Sequence, residues 1–330
     1  MTGSASLTWW QRFWHEPVRA ERLAITRIFL GLALLTDQLI QYLPHLAVFY
    51  GPEGVAPAGL HDVWQLENWR WTVLLFNTDN LVVVGILFWL RVAVTVAFLV
   101  GWHTRVMTVF LWLLTMAFIN RNPTLRNGAD DVMMVSLFLM LFCPSGRAFS
   151  LDRRRWLKKQ GPGAGWEPPT TPAWPVRLVQ IQVCMIYLTT GVAKLFRGDW
   201  FEGTWWDGTS LHYTLNYITM SRWSYAQLPL PLWMTLPLTY LSVWWETLFT
   251  PLVMFRWTRR WALWFGVLFH LGIFFTIEIG WFSFYTLSLY GVWIPGEFWD
   301  RWLRRPKEKI GAPAEAVAKP QAAPVEVFRE

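Results

Sequence analysis

Lys194, Glu246 and His270 are the residues of this chain best suited to moving a proton, because each lies within or at the rim of a long apolar run. An ionisable side chain is costly in that setting, so all three are expected to face the inside of a helix bundle and to serve a site. A lysine withdrawn from water favours its neutral amine, which accepts protons, and a neighbouring carboxylate or imidazole can orient it or pass the proton on. Lys194 ends the segment QIQVCMIYLTTGVAK, where Gln180, Gln182, Tyr187, Thr189 and Thr190 add hydrogen-bonding groups to an otherwise lipid-soluble helix; Trp200, Glu202 and Gly203 follow. The arrangement reads as a lined cavity. Lys194 is the candidate base, Glu246 and His270 its supports, and Gln182, Tyr187, Trp200, His212 and Asp130 are candidate contacts for a substrate or cofactor. Plainer roles stand beside these: a structural Lys194–Glu246 pair, a satisfied core histidine at 270, and Asp130 and Asp131 as a helix N-terminal cap.

The elements that must hold these groups are membrane helices. Apolar residues make up 54% of the 330 and charged residues 15%, against roughly 25% charged in an ordinary soluble domain. Runs near the ~20 residues that span the hydrocarbon core fall at 23–43, 79–100, 105–120, 130–145, 176–195, 233–255, 261–277 and 280–295. The expected fold is therefore an all-α, polytopic integral membrane bundle of about eight transmembrane helices. It would comprise an N-terminal segment 1–22, a transmembrane domain 23–295 and a basic, then Pro/Ala-rich tail 296–330 with little apolar content to order it. The 26 tryptophans and 23 phenylalanines suit interfacial belts and aromatic cavity walls.

Loop charge tests the count. With a cytoplasmic N-terminus, eight alternating spans put Arg12–Arg22, His103–Arg105, the Arg147–Lys159 loop, Arg256–Arg260 and Arg301–Lys309 on one side, as the positive-inside rule requires. Both termini are then cytoplasmic, in a bacterial-type plasma membrane. The long connections 44–78, 121–129 and 196–232 lie opposite, and 196–232 would cover Lys194. Arg91 and Asp37 are expected to be structural, either paired across the first two spans or with Arg91 snorkelling.

The net charge of +7 belongs to this topology and does not point to nucleic acid. His45, Tyr50, His61 and His212 are proton-carrier candidates or interface residues, without metal-ligand spacing. Cys143 and Cys184 lie in apolar runs without a paired motif, so neither a disulfide nor a metal is expected. No cleaved signal peptide is expected either. Phosphate-loop, dinucleotide-binding, serine-hydrolase and covalent-haem motifs find no suitable context.

Several patches together resemble the membrane core of vitamin K-dependent gamma-glutamyl carboxylase, within the horizontally transferred transmembrane (HTTM) domain superfamily. They are IYLTTGVAKLFRGDWFEG at 186–203, FHLGIFFTIEIGWFSFYTL at 269–287, FSLD at 149–152, RIFLGLALLTD at 27–37, VGWHTR at 100–105 and the acidic Glu246. The resemblance implies specific chemistry. A lysine matching Lys194 acts as base on reduced vitamin K, oxygen yields a strongly basic alkoxide, and a glutamate loses its gamma proton before carbon dioxide adds. Reduced vitamin K or another quinone, membrane lipid, and a glutamate-containing or small acidic substrate are thus the implied ligands. Two positions depart from the pattern. Asn127, Gly128, Ala129 and Asp130 stand where the carboxylase carries an assisting histidine, and Ala193 replaces the first of two lysines. Nothing matches the extramembrane domain that captures a propeptide, so processive carboxylation is not expected. The competing expectation is a non-catalytic module that binds a lipid or quinone, or assists a partner.

Overall fold

The computed structural model describes residues 8–58, 78–161, 168–196, 205–224 and 227–302, and among these the chain is mostly helical. Trp9–His15 (α1) and a short strand Pro17–Arg19 (β1) lead into Glu21–Asp37 (α2). The rod continues through a π-helical turn at Gln38–Tyr42 and a 3-10 turn at Leu43–His45, then ends in Leu46–Tyr50 (α3). Pro44 explains the break, since a proline inside a helix removes one donor and crowds the preceding turn.

Four helices follow: Leu81–Val100 (α4), Thr104–Arg121 (α5), Gly128–Leu141 (α6) and Leu151–Gln160 (α7). Their ends are written in the residues. Asn80 caps Val82 N at 3.0 Å, and Gly101, at φ +69°, closes α4 in a left-handed conformation open to glycine. Asn127 Oδ1 accepts from Ala129 N at 2.8 Å while Asp130 Oδ2 accepts from Asn127 N at 3.0 Å, a reciprocal capping box. The cap reading of Asp130 is thus borne out.

The second half holds Thr170–Pro172 (β2), Trp174–Phe196 (α8), Ser210–Asn216 (α9), Leu232–Met254 (α10), Arg256–Thr276 (α11), Phe282–Ser288 (α12) and Gly296–Trp302 (α13). β1 pairs antiparallel with β2, Val18 opposite Thr171. Arg19 ends β1, opposite Thr170, and donates to Glu21 at 2.7 Å and to Asp300 of α13 at 2.9 Å; these two carboxylates raise its pKa.

Leu30, Leu34, Phe98, Met133, Leu137, Val183, Phe249 and Val292 form one continuous core, whereas Ile86, Trp257, Leu268 and Phe275 stand exposed. That apolar exterior is what a lipid-facing bundle requires. Among the described residues, three helical stretches, Glu21–Tyr50, Leu81–Val100 and Trp174–Phe196, are long and apolar enough to cross a membrane. The other expected spans coincide with helices that fall short of that measure. α6 has 14 residues, and the expected span at 280–295 is a seven-residue α-helix running into a 3-10 turn at Leu289–Trp293. Gly291 sits against α2 there; a Cβ would meet Thr26 Oγ1 at 2.7 Å.

Candidate functional site

Periodicity on α8 positions the lysine. Val176, Val179, Val183, Tyr187 and Gly191 are buried at spacings of three and four, and Lys194 extends that stripe. It faces α10, where Ser242, Val243, Glu246, Phe249 and Val253 are buried. Gly191 permits the close approach, because a Cβ at that position would lie 2.6 Å from Thr247 N. Small residues at membrane helix contacts serve this purpose. The result is a two-pronged ion pair: Lys194 Nζ is 2.7 Å from Glu246 Oε1 and 2.6 Å from Oε2. The lysine side chain is 19% exposed and the glutamate 6%.

Trp205 lies against this pair. Lys194 Nζ lies 4.5 Å from the Trp205 ring centroid, within cation–π range. Trp206 Nε1 donates to Leu195 O at 2.8 Å, using one of the carbonyls left open at a helix end, and Tyr240 OH donates to Trp206 O at 2.8 Å. Trp205 was not singled out from the sequence, where several tryptophans share one connection. Trp200, the one expected there, lies outside the described residues, together with His61 and 197–204 of the expected cover.

Two turns earlier on the same face, Tyr187 OH is 2.7 Å from His270 Nε2 and 2.7 Å from Tyr290 OH. His270 is fully buried. Tyr187 packs against Trp245 and Phe249, with ring centroids 4.7 and 4.2 Å apart. Two buried polar atoms beside it, His270 Nδ1 and Trp245 Nε1, have no hydrogen-bond partner. Buried groups of this kind are ordinarily satisfied, and here both are left without a partner amid packed aromatic rings. Tyr290, which completes the hydroxyl relay, was missed because it lies on a 3-10 turn within an apolar run.

Other expected contacts lie elsewhere. Gln182 is half-buried twelve residues before Lys194, about 18 Å along the axis and roughly a third of a turn off its face. His212 sits on α9, where its carbonyl accepts from Asn216 at 2.7 Å. Asp130 lines a separate small cleft of about 50 Å³ with Asp37, Tyr42, Asn127 and Tyr285. The Arg91–Asp37 pair is corrected: Asp37 accepts from Tyr285 OH at 2.6 Å. Arg91 is fully buried, and none of its guanidinium nitrogens has a hydrogen-bond partner. It lies 5.4 and 5.3 Å from the Tyr42 and Phe118 ring centroids. Tyr285, brought in from α12, occupies the carboxylate that the arginine was expected to hold.

Comparison with known families gives a match to the HTTM domain over residues 15–298. No curated protein and no solved structure matches the chain.

Proposed function

The chain belongs to the HTTM domain family, the family of the vitamin K-dependent carboxylase membrane core, and from that premise we propose a polytopic membrane enzyme acting on a reduced quinone. The observation that carries this reading is the Lys194–Glu246 pair: a half-buried amine and a buried carboxylate in two-pronged contact, beside an indole and two turns along α8 from a Tyr–His–Tyr hydrogen-bond cluster. In this reading the ion pair is the state after proton transfer: Lys194, once it has released its proton to water, takes one from an acidic hydroxyl as a neutral amine, and Glu246 at 2.6 Å stabilises the ammonium that re-forms. Trp205 lies against the amine, and an apolar enclosure would protect a strongly basic species from quenching.

The donor set suits an aromatic diol. Trp245 Nε1 and His270 Nδ1 supply unpaired polar atoms, and Tyr187, Trp245 and Phe249 supply ring faces. A bound reduced quinone would furnish the hydroxyl and the electrons for oxygen chemistry. Carboxylation of a glutamate-containing or small acidic substrate is the finer part of the proposal. The full complement of about eight spans, with both termini cytoplasmic, belongs to the same reading, the shorter helices completing the bundle.

A second reading has a specific observation in its favour. A saturated ion pair is also what a structural clamp between α8 and α10 would contain, in a protein that binds lipid or quinone without turnover. Purified protein in lipid nanodiscs, supplied with a reduced naphthoquinone, oxygen and carbon dioxide, separates the two. The enzyme reading requires oxygen-dependent quinone turnover, detected as an epoxide by mass spectrometry, that disappears in monodisperse Lys194→Ala. Turnover unchanged by that substitution would remove Lys194 from the chemistry. A protein that binds naphthoquinone but never converts it would support the second reading.

A further inference from the structure

A cleft lies at the basic end of the bundle, away from Lys194. It measures about 260 Å³ and lies where the start of α5, the turn at Ser145–Arg147, the first turn of α7 and Thr170 of β2 converge. Arg105, Arg147 and Arg153 line it, with Trp156 beside them. Arg147 uses one nitrogen on Thr170 O at 3.0 Å, and Arg153 lies over the Trp156 ring at 4.3 Å.

The acidic residue in the cleft, Asp152, already has partners. Its oxygens accept from His103 N at 2.9 Å, Thr104 N at 2.7 Å and Thr104 Oγ1 at 2.6 Å. Three lining arginines against one carboxylate make the balance of the cleft cationic. Ser145, 1% exposed, also lines the cleft, and its hydroxyl has no hydrogen-bond partner. Arginines with an unsatisfied hydroxyl are the donor set of a phosphate site.

The surroundings identify the kind of phosphate. Phe142, Leu151 and Val106, each adjacent in sequence to a lining residue, are exposed apolar side chains. Arg154, Arg155, Lys158 and Lys159 on α7 add positive charge alongside. A basic pocket between helices, bordered by lipid-facing side chains, fits a molecule with a phosphodiester head and acyl tails. We propose that this cleft binds the headgroup of an anionic glycerophospholipid, its chains lying along Phe142 and Leu151. The proposal does not depend on what Lys194 does.

Native mass spectrometry of the purified full chain with added phosphatidylglycerol or phosphatidylcholine tests it. Wild type is expected to retain phosphatidylglycerol preferentially. Arg105→Gln/Arg147→Gln should lose affinity on the order of thirtyfold, while the control Arg256→Gln/Arg260→Gln, on another basic segment, should not. Equal retention of both lipids, or equal loss in both double variants, would overturn the proposal. Displacement of the lipid by millimolar inorganic phosphate would overturn it too, assigning the cleft to a free phosphate. If the first double variant does not fold, wild type photo-crosslinked with diazirine phosphatidylglycerol decides. Adducts within 142–157 support the site, and adducts on the Trp257–Phe275 face instead refute it.

Discussion

Separating Lys194 from Glu246 should reveal which of the two is harder to strand. Lys194→Met leaves a carboxylate whose side chain is only 6% exposed, whereas Glu246→Gln leaves an ammonium that is 19% exposed, on a flexible stem able to reach toward water. Breaking a buried pair by removing one partner costs about 3–5 kcal/mol. Lys194→Met is therefore expected near the top of that range and Glu246→Gln below it. Replacing both with apolar residues of similar volume, Lys194→Met/Glu246→Leu, strands neither charge and should return to within roughly 1 kcal/mol of wild type. For a chain of this size the worst single variant corresponds to a Tm drop on the order of 5–10 °C. Thermal unfolding in a fixed detergent, followed by loss of the monodisperse peak, gives all four corners of the cycle. A double variant as unstable as Lys194→Met, or a coupling energy indistinguishable from zero, would refute a buried, charged pair. Activity supplies the complementary contrast: the stable double variant should be inert if the pair does chemistry.

Three further outcomes follow from the geometry. Gly191→Ala puts a methyl 2.6 Å from Thr247 N, so α8 and α10 must separate, at a cost of about 1–3 kcal/mol and with weakened activity; a stability equal to wild type would mean that the contact is slack. Tyr187→Phe removes the hydroxyl shared by His270 and Tyr290 and leaves His270 with neither nitrogen bonded, at about 1–3 kcal/mol. Tyr290→Phe, which spares the histidine contact, should cost less in the same unfolding assay. Tyr285→Phe deprives Asp37 of its donor, with an expected loss of about 1–3 kcal/mol.

Sequence pattern located the helices well where apolar length alone decides. The expected 176–195 is the helix Trp174–Phe196, and 233–255 is Leu232–Met254. Lys194 and Glu246 were legible for the same reason, because a charge inside an apolar run has few places to point. Their partners were less so. Asp37 and Arg91 lie on neighbouring helices of suitable sign, yet Tyr285 from α12 reaches the carboxylate, and that outcome depends on the packing register of a third helix. The β1–β2 strap uses three residues per strand, two of them prolines at the paired ends, too few to show an alternating pattern. Trp205 was hidden among equivalent indoles, and only its contact with Lys194 in three dimensions singles it out.

The strap also sets an order of events during synthesis. Val18 is made early but must wait for Thr171, and Arg19 waits longer still, since its partner Asp300 is 281 positions downstream. At roughly 5–20 residues per second, that is about a quarter of a minute to one minute in which the N-terminal arm has no final mooring. The bundle therefore grows as an open chain whose first and last parts latch together at the end. A nascent chain arrested before α13 would keep its arm accessible to protease, and completion of the latch would report that α13 has been made and seated.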